Sequence, residues 1–425
     1  MRPSSPQQLV TLLLLPVLTL FLGIGIGSSA ENKDTPAVTQ VSTTSGTTVP
    51  EEKSISLNAD QASSQMKIFW EVWNRLRTEH PDGKEVSDKD MLYGATKGIA
   101  NAVGDPYTYF LTPEESKEFN TSLNGELEGI GAELTEGEGG VLTVVATLKG
   151  TPAEKAGILP GDIIYKINDE SVVDFTLYTA VEKIRGKKGT SVKVTVIRKN
   201  ETQPLDFTIQ REEIRVPSVT YESKDEGQIA YIKVAKFSES TVSELNMIVN
   251  KLLLTPPRGI ILDLRDDGGG YLDASADVAS MFLEQGKIVT TRGTKADSFQ
   301  EKSAKGGARL GKFPLVVLQN EQTASAAEIV AAALKDNNRA HIIGTNSYGK
   351  GSVQELEPLS DGSYLRITIA KWFTPNGYNV GDKADGKKAG LAPHEEVSLS
   401  LQDRKDKKDP QLDKALSYLR EQFKK

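Results

Sequence analysis

Along this chain the spacing of apolar residues changes repeatedly, and each change marks a different element. Residues 9–26, LVTLLLLPVLTLFLGIGI, are apolar almost throughout. From residue 57, Met66, Phe69, Trp70, Trp73 and Leu76 recur every three or four positions, which predicts an amphipathic helix. DKDMLYGATKGIANAVGD predicts a second helix, with an Asp at its start as the cap, and Thr112-Pro113 followed by Glu114 and Glu115 predicts a third. These pieces form a helical N-terminal domain over residues 57–120, either a packing layer or a dimerisation arm. Residues 121–213 switch to short alternating strands broken by glycine turns, with one helix in FTLYTAVEKIRG that places Leu177, Val181 and Ile184 on one face. From 214 to 405 strands and helices alternate: GIILDLR runs into a glycine loop and a helix, and FPLVVLQNEQTASAAEIVAAALKD repeats strand, loop and helix. That alternation predicts a layered α/β domain. Residues 406–425 form a last helix with Leu412, Ala415, Leu416, Leu419 and Phe423 along one stripe.

The chain has 425 residues, enough for two or three domains with a sizeable core. Its net charge of −7 points away from nucleic acid. Zero cysteine excludes disulfides, thiol nucleophiles and Cys-ligated metals together. No motif calls for a cofactor. The apolar run 9–26 follows Arg2 and precedes small residues at Ser28 and Ala30, so residues 1–30 read as a secretory signal or a retained membrane anchor. Residues 31–56, rich in Thr, Ser and Pro, read as a flexible linker. The N-terminal segment, cleaved or retained, predicts export to a periplasm, cell envelope or extracellular space.

Three stretches in the middle of the chain, GIGAEL (129–134), TPAEKAGI (151–158) and PGDIIYKIND (160–169), together resemble a PDZ domain. The physics of such a module suits a peptide tail. A glycine turn at Gly129 and Gly131 presents N–H groups to a carboxylate, Ile130 and Leu134 line an apolar pocket, and the following strand offers an edge to an extended peptide. Arg185, in IRGKKGT, is a candidate contact for switching this module, or simply a solvated surface residue.

Ser325 stands at the front of an alanine-rich helix. There it is either an N-cap or a nucleophile whose oxyanion would meet free backbone N–H groups. A serine nucleophile needs a base, and none of His80, His341 and His394 is a convincing partner. Lys350, between two glycines in SYGKGSVQ, is a better candidate. As a base it must be neutral, so its free pKa of ~10.4 would fall about three units, a cost on the order of 4 kcal/mol. Gln354 lies four residues on and can hold the amine in line. GTNSYGKG departs from a phosphate-binding loop, because Gly351 replaces the Mg²⁺-binding hydroxyl. DLRDDGGG lacks Ca²⁺-loop spacing.

QTASAAEIVAAAL, GTNSYGKGSVQ, DLRDDGGG and ITIAKWFTPNG, with the PDZ-like module upstream, resemble the carboxyl-terminal processing proteases, the tail-specific serine peptidases of family S41. The resemblance spans nearly all of residues 60–400. It implies a crotonase-like (ClpP/crotonase) α/β core with an inserted PDZ domain, and a Ser325–Lys350 dyad assisted by Gln354. It implies oxyanion donors at the backbone N–H of Gly269 and Ala326, although the family's NNPGG is DDGGG here, with Gly268 in place of the proline. The expected substrates are proteins or peptides with a free C-terminus. The alternative from another class is a peptide-binding scaffold in which Ser325 is only a cap. A homodimer through the apolar stripes of the arm and last helix is a further expectation.

Overall fold

A computed structural model describes residues 59–136, 141–173, 175–293, 299–384, 387–400, 402–403 and 406–424. The apolar run 9–26, the signal or anchor it predicts and the linker 31–56 lie outside the described residues. Among the described residues no helix is long and apolar enough to cross a membrane. The chain divides into two units, meeting between Phe110 and Leu111.

The smaller unit holds helix α1 (Ala59–Glu79) and helix α2 (Asp88–Asn101). Ser87, not an Asp, caps α2, with its Oγ accepting the Asp90 N–H at 3.0 Å. A serine hydroxyl reaches that donor while Asp88 adds its charge to the first turn. The apolar residues of α1 are largely exposed, Trp70 at 53% and Met66 at 44%.

The larger unit opens with helix α3 (Pro113–Leu123), where Thr112 and Glu115 form a reciprocal capping box. The chain then enters and leaves a β module through an antiparallel ribbon of β1 (Glu126–Gly129) and a strand Glu212–Arg215. Inside the ribbon lies a sheet in the order β2 (Ala132–Glu136), β3 (Leu142–Thr147), β4 (Ile163–Ile167), β5 (Ser191–Ile197) and β6 (Leu205–Gln210). Val192, Val194 and Val196 of β5 are fully buried. Helix α4 (Leu177–Ile184), capped by Thr176, buries Ala180 and Ile184 against this core. β2 ends the strand order, so one of its edges faces away from the sheet.

The remaining residues build a six-stranded sheet in the order β7 (Val219–Lys224), β8 (Ile229–Val234), β9 (Gly259–Asp263), β10 (Leu315–Gln319), β11 (His341–Gly344) and β12 (Glu395–Glu396), parallel from β8 onward. Period-2 alternation divides its two faces. Ile260, Leu262, Val317 and Ile342 pack under helices α5 (Thr241–Leu254), α6 (Leu272–Ser280) and α7 (Ala326–Asp336). Ile261, Val316, Leu318 and Ile343 face helix α8 (Pro410–Gln422), whose predicted stripe of Leu412, Ala415, Leu416, Leu419 and Phe423 meets them. Burial on both faces explains why GIILD reads as an unbroken apolar run. Because β9 and β10 are parallel, the loops that follow them emerge at the same end of the sheet. A second, antiparallel sheet carries Ser352–Pro358 against Tyr364–Phe373.

Candidate active site

The two loops at that end are laced together by their own polar residues. Asn320 Oδ1 accepts the Asp266 N–H at 3.0 Å, and Asn320 Nδ2 donates to Asp266 Oδ1 at 2.7 Å. Thr323 Oγ1 donates to the Leu264 carbonyl at 2.8 Å, and the Ala324 N–H to the Asp267 carbonyl at 2.9 Å. The base of the first loop is fixed by Arg265, whose guanidinium pairs with buried Asp263 at 2.7 Å and with Asp409, the cap of α8, at 2.8 Å. Asp263 and Asp266 of DLRDDGGG thus have side-chain partners within the fold, whereas Asp267 accepts only a backbone N–H, through Oδ1. Among the described residues no acidic or histidine cluster could hold a metal ion.

Ser325 ends the second loop. Its backbone sits at φ 54°, ψ −117°. Ser87, Thr112 and Thr176, the hydroxyl caps of α2, α3 and α4, have φ between −61° and −73° and ψ between 152° and 166°. Ser325 heads α7 and gives its N–H to the Glu of the first turn as in a capping box, but its backbone is not that of those three caps. It occupies a strained conformation that a non-glycine residue keeps only where the surroundings enforce it.

The enforcing group is Glu328, fully buried one turn into α7. Its Oε2 accepts the Ser325 N–H at 2.8 Å and the Lys350 N–H at 2.9 Å. Its Oε1 accepts the Gly349 N–H at 2.7 Å and the Ser347 hydroxyl at 2.5 Å. Burial raises this carboxyl above the usual range, and the four donors oppose that rise without cancelling it. One side chain thus fastens the Ser325 turn to the SYGKG loop.

Lys350 is 4% exposed. Its carbonyl accepts the Trp372 indole N–H at 2.7 Å, so its backbone is held on both sides. The flanking glycines have separate reasons. Gly349 has φ +83°, and a Cβ at Gly351 would lie 2.1 Å from Asn379 Oδ1. After Lys350 the chain enters a strand, not a helix, so GTNSYGKG has no helix terminus to offer a phosphate. Gln354, 1% exposed, donates through Nε2 to Ser352 Oγ at 2.8 Å and Thr368 Oγ1 at 3.1 Å. Its Oε1 accepts from the fully buried Arg366 at 3.0 Å and retains a second lone pair.

A narrow pocket opens between these parts. Ser325 and Gln354 lie on its wall with Leu272, Ile329, Val353 and Trp372. Gly270 and Ala326 also line it. Gly269, expected from the sequence to donate to the oxyanion, is committed elsewhere in this structure: its N–H donates to Asp267 Oδ1 at 2.7 Å. The physical reason is an Asx turn, in which an Asp accepts the N–H two residues on. Gly269 still packs on the Ser325 turn, since a Cβ there would lie 2.7 Å from Ser325 Cβ.

The histidines take no part. His80 belongs to the smaller unit and accepts the Asp82 N–H. The His341 ring stacks on Tyr418, centroids 4.3 Å apart, and on His394 at 5.2 Å. Alternation puts His341 on the α8 face of the sheet, opposite α7.

In the β module, Ile130 is buried and packs in its core with partly buried Leu134. Gly131 has φ +77°, and a Cβ there would lie 2.4 Å from Thr151 Cβ, so the turn tolerates no side chain. Arg185 is exposed and passes Gly129, its Cγ 3.9 Å from where a Cβ would stand.

Comparison with known proteins agrees with this anatomy. Residues 228–397 match the model of peptidase family S41, and residues 120–197 match the PDZ domain. A carboxy-terminal-processing protease of Bartonella bacilliformis is 38% identical over 336 residues, 77% of this chain and 75% of that protein. The carboxy-terminal processing protease CtpA of Bacillus subtilis is 37% identical over 342 residues, 80% and 71% respectively. The solved photosystem II D1 C-terminal processing protease is 26% identical, covering 79% of this chain and 93% of its own, with a TM-score of 0.46. The chain belongs to peptidase family S41, as a PDZ-containing serine peptidase of the carboxy-terminal processing group.

Proposed function

We propose that this peptidase cuts exported proteins near their C-termini with Ser325 as nucleophile and Lys350 as general base. The observation that carries this reading is the shared acceptor: the N–H groups of Ser325 and Lys350 converge on one oxygen of Glu328. Lys350 is 4% exposed, and the form this reading requires of it is the neutral amine. The amine takes the Ser325 hydroxyl proton as Oγ attacks the scissile carbonyl. The Ala326 N–H, at the positive end of α7, and the Gly270 N–H receive the oxyanion. Collapse expels the amine product, which takes the proton from Lys350, and leaves an acyl-enzyme. Lys350 then deprotonates a water that releases the acid product. Gln354 orients the Lys350 amine through its remaining lone pair, and Arg366 fixes the amide.

Substrate tails add to the free edge of β2, beside α4, with their carboxylate at the Gly129–Gly131 turn. The apolar pocket walls favour an apolar side chain at the cut. Hydrolysis of fluorescein-casein by the full chain and by Ser325→Ala tests the reading. Serine-dependent cleavage supports it, and equal cleavage by both, or none by either, returns Ser325 to a structural role.

A further inference from the structure

Asp267 is the acidic group of the glycine loop without a settled partner. It is fully buried, Oδ1 accepts the Gly269 N–H, and Oδ2 has no hydrogen-bond partner among the described residues. An ionised carboxyl so placed is strongly disfavoured. Burial holds it well above the usual carboxylate range, Lys233 and Lys236 oppose that, and Asp263 adds to it.

Lys236 precedes Phe237, which is stitched along the same loop. The Phe237 N–H donates to the Gly269 carbonyl, and the Phe237 carbonyl accepts the Tyr271 N–H, both at 2.8 Å. The Lys236 ammonium is used elsewhere. Its Nζ donates to the Ser122 carbonyl at 3.0 Å, at the end of α3, and a Cβ at Gly125 would lie 2.8 Å from it. Ser122 and Gly125 form the root of the ribbon that carries the PDZ module. Burial lowers the Lys236 pKa, against the fields of Asp267 and Glu244.

We propose that Lys236 is a positioning residue with two alternative acceptors: the Ser122 carbonyl at the ribbon root, as here, and Asp267 Oδ2 in the form that turns over. When the root shifts, Lys236 Nζ docks on Asp267, whose proton passes to solvent. The resulting ion pair fixes the Gly268–Gly270 backbone against Ser325. The inference rests on Ser325 being the nucleophile, and it gives the PDZ module a defined route to the loop that would hold the oxyanion.

The test is fluorescein-casein turnover by the full chain as wild type, Lys236→Met, Asp267→Asn and the double variant. With Asp267 present, Lys236→Met lowers kcat about tenfold and leaves KM within about twofold. In the Asp267→Asn background the same change alters kcat less than about twofold, because a neutral amide needs no counter-ion. Equal losses in both backgrounds, or no loss with Asp267 present, overturn the proposal. Lys236→Gln serves in place of Met should that variant fail to fold. Ser325→Ala is assayed alongside: if it still cleaves, the nucleophile assignment fails, whereas an inactive Ser325→Ala with additive Lys236 and Asp267 effects sinks the relay alone.

Discussion

The Ser325 N–H donates to Glu328 Oε2 at 2.8 Å, and that bond holds the serine in a backbone conformation it would not adopt unaided. The same carboxylate carries Lys350, Gly349 and Ser347. Glu328→Gln sets an NH₂ group among four converging donors. Leaving a buried donor unpaired costs roughly 1–3 kcal/mol. The expected result is a kcat lower by about a hundredfold with KM nearly unchanged, because the loss is of alignment. Steady-state casein hydrolysis measures it, and a kcat within about threefold of wild type contradicts the clamp.

Strain at Ser325 predicts a stability gain from removing it. A non-glycine residue at such φ/ψ stores about 1–3 kcal/mol. Ser325→Gly is therefore expected to be inactive yet more stable by about 1 kcal/mol in urea unfolding. An inactive and less stable variant would mean that the turn is relaxed in the wild type.

Asp267 gives a prediction with a definite pH sign. Its folded pKa is raised well above the ordinary carboxyl value of 3.8, chiefly by burial. The folded state thus binds this proton more tightly than the unfolded chain does. The associated stability is full below pH 3.8 and is lost as pH rises through the folded pKa. Asp267→Asn does not titrate. Its melting temperature should exceed that of wild type at neutral pH, and the difference should shrink on acidification. A difference that widens on acidification is the contrary result.

Two glycine substitutions should act in opposite directions. Gly270 has φ +149°, and a Cβ there would lie 2.0 Å from the Phe237 carbonyl oxygen. Gly270→Ala must push the glycine loop off Phe237, with loss of activity and a melting temperature lower by several degrees. Gly94, inside α2, meets nothing within 4 Å. Gly94→Ala should stabilise by about 0.5–1 kcal/mol and leave casein hydrolysis unchanged. Thermal melts of the two variants check both signs.

How far the sequence reveals this molecule depends on whether a residue acts within its own segment. Alternating strands and helices announce the α/β layers, and Ser325, Lys350 and Gln354 stand in short stretches whose composition is unusual by itself. Glu328 passes as an ordinary acid in a first helical turn. The S-x-x-E spacing from Ser325 to Glu328 is the signal that could have marked it, though not the arrival of Ser347, Gly349 and Lys350 on the same carboxyl. Arg366 is hidden for a related reason: in the strand YLRITIAKWF nothing local says that its guanidinium is fully buried against Gln354. The Gly269 N–H is turned to Asp267 by an Asx turn, a feature of backbone torsion that spacing does not encode. Ser87 takes the cap of α2 because it and the adjacent Asp88 both carry side chains able to cap, and the chain turns into the helix at the serine.

The claim beneath all of this is that Lys350 deprotonates Ser325. Labelling of Ser325 by a fluorophosphonate, read by mass spectrometry across pH, tests it most directly. The account predicts labelling of wild type that rises with pH as one group loses its proton, and none above background in Lys350→Ala at any pH. Lys350→Ala labelled at the wild-type rate, with the same pH dependence, would contradict it.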